Sequence, residues 1–222
     1  ELCTIILQEL KKYAEVKLNQ TVRKAVITVP AYFNVTQREV TLAAAKDAGF
    51  IVLKLLNEPT AAALAYYLEN DITENHICLV YDLGGGTFDV AVLEKKFGTV
   101  EVLCVGGDTQ LGGHDLDSCI LEYIFEVLRN DYDYHAKMDP DDKRRLRIKC
   151  EEAKKELSSA NEAVVTINGV VPKHPKIIIT LPRTLFEEKA SKLFQRTIDI
   201  VHNCLVDSKI SKESIQEIIL CG

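Results

Sequence analysis

An α/β fold is predicted by three features of this 222-residue chain. Over residues 25–68, β-branched runs alternate with helical stretches, the pattern of a parallel strand–helix–strand unit. Three further strand-like runs crowd together between residues 77 and 105. Two glycine-rich connections, Gly84-Gly85-Gly86 and Gly112-Gly113, each follow strand-rich sequence.

The elements follow in order. Leu2, Ile5, Ile6, Leu10 and Tyr13 recur at helical spacing and predict an amphipathic helix over 1–18. Ala25 to Val29 predicts a strand that stops at Pro30, which cannot donate to a ladder. Thr36 to Ala48 predicts a helix with Gly49 at its C-cap. Ile51 to Leu56 predicts a strand, and Asn57 an N-cap for the Ala-rich helix from Glu58-Pro59 to Leu68. The polar stretch 70–76 is the candidate domain boundary. Strands are predicted at 77–82, 88–94 and 99–105, antiparallel because their connections are short. A helix carrying Leu116, Ile120, Tyr123, Ile124 and Val127 follows the second glycine loop, then a polar break over 130–140. Residues 141–158 predict a charged helix with the stripe Leu146, Cys150, Ala153, Leu157. A hairpin (163–167 and 176–181), a long helix (184–205) and a strand (216–221) complete the chain.

Bulk composition excludes some functions. With 47% hydrophobic residues the chain can bury a substantial core. Acidic residues outnumber basic ones by 33 to 27, a net charge of −6, so no basic excess exists to meet a nucleic-acid backbone. No apolar run approaches the ~20 residues of a membrane span. Seven scattered cysteines (Cys3, Cys78, Cys104, Cys119, Cys150, Cys204, Cys221) without a Cys-x-x-Cys motif fit a reducing compartment. The chain begins at Glu1 inside a predicted helix and stops at Gly222 as a strand finishes, so a fragment is expected.

The most informative run is Asp82-Leu83-Gly84-Gly85-Gly86-Thr87-Phe88-Asp89. It reads as strand, tight turn, strand. Three glycines let backbone approach a ligand closely, and such a turn can aim N–H groups at a phosphate. Thr87 adds a hydroxyl, and Asp82 and Asp89 are placed to hold a hydrated Mg²⁺. A glycine hairpin with two edge acids is the alternative. Glu58 is the third candidate acid, although an acid in a first helical turn is favoured by the helix dipole in any case. Glu151, Lys154, Lys155 and Ser158 fall at i, i+3, i+4 and i+7 and share one helix face. Two readings stand for that face, a nucleoside contact or a solvated face with one ion pair. There is no G-x-x-x-x-G-K-[ST] and no G-x-S-x-G, and the five histidines (His76, His114, His135, His174, His202) are dispersed, so none is read as catalytic.

Several strings occur in one family's order and spacing. They are Val29-Pro30-Ala31-Tyr32-Phe33-Asn34, Gln37-Arg38, Asn57-Glu58-Pro59-Thr60-Ala61-Ala62-Ala63, Asp82 to Val90, Gly107-Asp108-Thr109-x-Leu111-Gly112-Gly113, and Glu151-x-Ala153-Lys154-Lys155-x-Leu157-Ser158. The chain resembles, end to end, the nucleotide-binding domain of the seventy-kilodalton heat-shock chaperones (DnaK type). The Asp-x-Gly-Gly-Gly-Thr string is shared with other actin-like ATPases and sugar kinases. The Asn-Glu-Pro-Thr-Ala-Ala-Ala and Pro-Ala-Tyr-Phe-Asn strings are more specific.

The resemblance implies a partial actin-like two-lobed ATPase fold with ribonuclease H-like motifs, comprising the end of lobe I and most of lobe II. Residues 1–70 would belong to lobe I, 71–111 and 191–222 to the base of lobe II, and 112–190 to its outer subdomain. ATP or ADP and Mg²⁺ are the implied cofactors. Gly84, Gly85, Gly86 and Thr87 would contact the phosphates, with Thr87 near the attacking water. Asp82 and Asp89 would order Mg²⁺ through its waters, and Glu58 would sense the metal and γ-phosphate. Gly112 and Gly113 would close on the nucleotide. Glu151, Lys154, Lys155 and Ser158 would hold the adenosine, and Gly222 would begin a second adenosine loop. Pro30 and Arg38 resemble a switch pair linking nucleotide state to a peptide-binding domain, and Lys54 lies where a J-domain co-chaperone docks.

The implied function is ATP-driven control of a separate peptide-binding domain in protein folding and the heat-shock response. The implied partners are a J-domain co-chaperone, a nucleotide-exchange factor and unfolded polypeptides, without nucleic acid or membrane. The alternative is a non-cycling relative that acts as an exchange factor or scaffold around a structural ATP. The expected location is the cytoplasm, with the nucleus and organelles left open. Part of the family's site, including a Lys and a first phosphate loop, belongs upstream of Glu1, so this chain alone is expected to hydrolyse ATP poorly.

Five positions depart from the family's usual residues. Val35 stands for Asp, Tyr67 for Gly, His114 for an acid after Gly-Gly, Lys54 for Arg, and Lys155 for Arg. Lys cannot offer the bidentate fork of Arg, which bears on co-chaperone docking at Lys54 and on adenine stacking at Lys155.

Overall fold

The structure is a computed structural model that describes residues 1–72 and 75–222. Two of the seven residues of the expected polar boundary at 70–76, residues 73 and 74, lie outside the described residues. Two compact units divide the chain. The first gathers residues 1–82, 88–109 and 200–222, and the second gathers 83–87 and 110–199. No helix among the described residues is long and apolar enough to cross a membrane.

The first unit begins with helix α1 (Leu2–Leu18), whose apolar stripe of Leu2, Ile5, Ile6 and Leu10 is exposed. Strand β1 (Lys24–Val29), helix α2 (Val35–Asp47) and strand β2 (Ile51–Asn57) form the expected parallel unit, with Val29 opposite Asn57. A reciprocal cap starts α2. Asn34 accepts from the Gln37 N–H at 2.9 Å, and the Gln37 side chain accepts from the Asn34 N–H at 2.9 Å. Gly49 follows the C-cap residue Ala48 at φ +82°, a conformation that favours glycine, and donates to the Lys46 carbonyl. Helix α3 (Glu58–Glu69) starts directly at the end of β2. Asn57 occupies its N-cap position but makes no side-chain capping bond.

Strands β3 (His76–Leu83), β4 (Phe88–Lys96) and β5 (Thr99–Asp108) enter a four-stranded sheet in the order β5-β4-β3-β8. Strand β8 (Glu217–Cys221) lies parallel to β3, with Asp82 opposite Cys221, and β4 and β5 run antiparallel. Both parallel pairs of this unit therefore carry candidate residues at their carboxyl ends, where open α/β sheets bind ligands. Pro30 and Glu58 follow β1 and β2, while Asp82 and Gly222 lie at the ends of β3 and β8. The core of this unit is Ala63, Tyr67, Cys78, Val80, Ala91 and Leu93.

The second unit packs helices α4 (Gly113–Tyr132) and α5 (Pro140–Glu156) and part of α6 (Arg183–Ser208) with an antiparallel hairpin of β6 (Glu162–Val171) and β7 (His174–Pro182). The stripe Leu146, Cys150, Ala153, Leu157 is buried, meeting Ile120, Ile124 and Leu128 of α4 and the inward residues Val165, Ile167, Ile177 and Ile179 of the hairpin. The alternation of β6 and β7 is what one covered sheet face requires.

Tyr67, which stands where the family usually has glycine, is a core residue. It is almost fully buried, its hydroxyl donates to Cys78 Sγ at 3.0 Å, and the Lys95 ammonium lies 5.1 Å from its ring centre. Burial pushes its phenol far above the ordinary value. Tyr67→Ala should cost about 3–5 kcal/mol in urea unfolding of the full-length protein, because it empties the centre of this core. Tyr67→Phe should cost about 1 kcal/mol, the net worth of one hydrogen bond. Equal losses in the two variants would contradict a packing role.

Candidate functional site

In the first unit the three candidate carboxylates share one region. Glu58 opens α3, Asp82 ends the ladder of β3, and Asp89 is nearly fully buried early in β4. Burial raises the Glu58 carboxyl above its ordinary value, and the charges of Asp82 and Asp89 raise it further. Burial likewise raises Asp82, partly opposed by the neighbouring Cys221 thiol. That thiol is pushed up to about 11 by burial and by the two acids, so it is not a thiolate near neutral pH. Three neighbouring acids, one of them raised by the other two, are a donor set a divalent cation would relieve. No group of three or more His, Cys, Asp or Glu side chains among the described residues is arranged to chelate a metal directly.

Gly107 sits opposite Asp89 on β5, and a Cβ there would lie 2.7 Å from the Phe88 carbonyl and 3.3 Å from Asp89 Oδ1. The absent side chain lets the strand pass close to that carboxylate. Asp89 Oδ1 also accepts from the Tyr32 N–H at 3.3 Å. Tyr32 belongs to the turn after β1, closed by Phe33 N–H donating to the Pro30 carbonyl. Arg38 holds the same turn from α2, donating to the carbonyls of Phe33 and Ala31 at 3.0 Å and reaching that of Pro30 at 3.5 Å. Pro30 and Arg38 are thus joined, and their turn leads to Asp89. Lys54 is exposed on β2, and Gly222 follows β8 at φ +119°.

In the second unit the two glycine loops interlock. The turn closes on itself through Gly84 N–H to the Thr87 carbonyl at 3.0 Å. The first amides of α4 dock on it, Gly113 donating to the Gly84 carbonyl at 2.9 Å and His114 to that of Gly85 at 2.8 Å. A Cβ on Gly112 would lie 2.6–2.7 Å from backbone atoms of Gly85 and Gly86, so only glycine fits. Asp115 accepts from the Gly112 N–H at 2.8 Å and steadies the helix start. Two of the orphan amides of this helix end are thereby satisfied by the turn's carbonyls, and Gly85 and Gly86 remain exposed.

The four residues of the α5 face do not act alike. Glu151 and Lys155 form a 2.6 Å ion pair that lowers the Glu151 carboxyl and raises the Lys155 ammonium. Lys154 instead turns to α4, donating to the Gly113 carbonyl at 2.9 Å and lying 2.7 Å from Asp117 Oδ1 as an ion pair without hydrogen-bond alignment. Asp117 is buried on the first turns of α4, so Lys154 clamps the helix start that carries the interlock. Ser158 is exposed at the edge of a groove of about 620 Å³, shared with Leu116, Lys154, Arg183, Phe186 and Glu187. That size is within the range of ligand pockets. Sequence reasoning missed Asp117, Arg183, Phe186 and Glu187. The i+4 spacing of Gly113 and Asp117 was the one available signal, since it puts both on the side of α4 that Lys154 reaches.

The whole chain, residues 1–222, matches the family model described as Hsp70 protein. It is 43% identical over 226 residues to the chaperone protein DnaK of Mycoplasmopsis agalactiae, covering all of this chain and 38% of that protein. It is 43% identical over 225 residues to the DnaK of Mycoplasmopsis pulmonis, covering all of this chain and 37% of that protein. The chain belongs to the Hsp70 family, and its mixed α/β elements are a portion of that family's actin-like ATPase fold. It spans less than two-fifths of the length of the curated relatives it matches.

Two outcomes follow from the geometry. Gly112→Ala should destabilise the protein by about 1–3 kcal/mol, as overpacking against fixed backbone does, read as a lower thermal midpoint. An unchanged midpoint would sink the interlock. Glu58→Gln should stabilise the nucleotide-free protein at neutral pH. A carboxyl raised on folding binds its proton more tightly in the folded state, so stability falls as pH rises through the ordinary carboxylate range and on through the raised value. Glu58→Gln removes that slope, and a wild-type slope retained in the variant would refute the assignment.

Proposed function

We propose that this chain is part of the ATP-binding and ATP-hydrolysing domain of an Hsp70 chaperone, whose nucleotide state controls a separate peptide-binding domain. The single observation that carries the reading is the Asp82–Asp89 segment. Its two acids flank in sequence a glycine turn whose carbonyls are occupied by the start of α4. Backbone thus secured presents an exposed, side-chain-free surface, which suits the phosphates of a nucleotide.

On this reading Gly84, Gly85, Gly86 and Thr87 receive the phosphates, with Gly112 and Gly113 behind them. Lys154 fixes the loop, while Glu151, Lys155, Ser158 and Gly222 belong to the adenosine side. Asp82 and Asp89 hold the waters of Mg²⁺, which when bound neutralises charge on the phosphates. Glu58, whose carboxyl is raised by burial and by the charges of Asp82 and Asp89, would sense that neutralisation, and Thr87 would orient the water that attacks the γ-phosphate. Phosphoryl transfer to water needs positioning and charge stabilisation more than covalent chemistry, and these groups supply both. The turn joining Asp89 to Pro30 and Arg38 carries the nucleotide state outward. The division into lobe I (1–70), lobe II base (71–111 and 191–222) and outer subdomain (112–190) belongs to the same proposal. So do the J-domain partner at Lys54, the exchange factor, the unfolded clients and a cytoplasmic location.

Single-turnover hydrolysis by the full-length protein, with and without a J-domain protein, tests the reading. A burst that the J-domain protein accelerates is expected. Binding without hydrolysis or stimulation would favour the scaffold role over the motor. Arg38→Ala, which removes the side-chain donor from the Phe33 and Ala31 carbonyls, should leave nucleotide binding within about threefold of wild type while abolishing ATP-triggered peptide release. Retained release would refute the coupling route.

A further inference from the structure

Resting on the nucleotide reading above, we infer that His114 is a pH-dependent contact for the nucleotide's phosphates. The imidazole flanks the exposed side of the glycine turn. Its Nε2 lies 3.7 Å from where a Cβ on Gly85 would stand, and its Cδ2 lies 4.0 Å from the equivalent point on Gly86. The backbone that carries the ring is anchored on the turn, because the His114 N–H donates to the Gly85 carbonyl at 2.8 Å. Its side chain is 81% exposed, so it is free to meet a ligand seated on the turn.

The charges around the ring leave it available. On its own helix, Asp117 Oδ2 lies 3.7 Å from Nδ1, beyond hydrogen-bond distance. The other oxygen of Asp117 is engaged by Lys154 of α5 at 2.7 Å. Also on α5, Glu151 feels the imidazole's charge but is paired with Lys155 at 2.6 Å. Asp115 is engaged by the Gly112 N–H at 2.8 Å, so Asp117 is the one of these carboxylates within ion-pair distance of the protonated ring. Nδ1 faces Asp117, and Nε2 faces the turn.

A protonated imidazole brings an N–H donor and a positive charge to a phosphate oxygen, and the neutral ring brings no charge. An anion bound on the turn therefore raises the imidazole's proton affinity. By linkage, nucleotide affinity rises as falling pH protonates the imidazole. Adenosine, which has no phosphate, gains nothing from the same proton. His114 is a binding residue on this account, and no proton transfer is assigned to it.

The test is calorimetric titration of the full-length protein with MgADP and with adenosine between pH 6 and pH 8. Comparing the wild-type protein with His114→Gln cancels the nucleotide's own phosphate titration. His114→Gln should weaken MgADP about three- to tenfold at pH 6, change it little at pH 8, and leave adenosine unaffected at both. His114→Glu should weaken MgADP at both pH values. In the wild-type protein the imidazole NMR titration should move to higher pH when MgADP is added, a readout that needs no variant. Parallel pH dependence in wild type and His114→Gln, with an unmoved imidazole titration, would overturn the inference while leaving the nucleotide reading standing. No MgADP binding by the wild-type protein at any pH would overturn both.

Discussion

The second unit depends on one contact, the seating of Gly112 against the backbone of Gly85 and Gly86. At 2.6–2.7 Å from the position of an added Cβ, those atoms leave no room for any side chain. Given that approach, the carbonyls of Gly84 and Gly85 meet the first free amides of α4, and each group satisfies the other. The contact is maintained from a distance. Burial of Leu146, Cys150, Ala153 and Leu157 fixes α5 against α4 and the β6–β7 hairpin. That packing aims Lys154 at the Gly113 carbonyl and at Asp117. Hydrophobic burial thus positions one ammonium group, and the ammonium positions a helix start under the glycine turn.

The first unit solves a different problem, keeping three acids near one another. Glu58 and Asp82 both sit above their ordinary carboxyl values, which is stability given up in the absence of a cation. Asp89 is tied to the Tyr32 amide, and Tyr32 to the turn that Arg38 holds. A change in charge at these acids therefore has a short covalent and hydrogen-bonded path to the start of α2. The placement follows from chain direction, since two parallel strand pairs deliver these residues at their carboxyl ends.

Much of this was legible in the sequence. Residue patterning located the α-helices and strands of the described residues, most of which cover an apolar face, although the stripe of α1 is exposed. The Asp82–Asp89 run and the Asn57–Ala63 run announced the family through residues that backbone geometry constrains. What was not legible was the partition of the α5 face. Spacing alone put Glu151, Lys154, Lys155 and Ser158 together, but a lysine's long stem lets its ammonium go either way, and only the position of Asp117 decides it. Tyr67 departs from a usual glycine, and its burial against Cys78 is not visible in the sequence because it depends on a strand residue eleven positions away. His114 stands out in the sequence as a departure from the family's usual acid, but nothing there shows that the start of α4 docks on the first glycine turn.

On the proposed function, the Gly84–Thr87 turn, held by α4, receives phosphate on its exposed backbone. Amide hydrogen exchange of the full-length protein, with and without saturating MgADP, tests it most directly. The amides of Gly113 and His114, already bonded to the turn, should exchange slowly in both states, and those of Gly85, Gly86 and Thr87 should slow only when nucleotide is present. Exchange at 85–87 that is indifferent to bound MgADP would contradict the account.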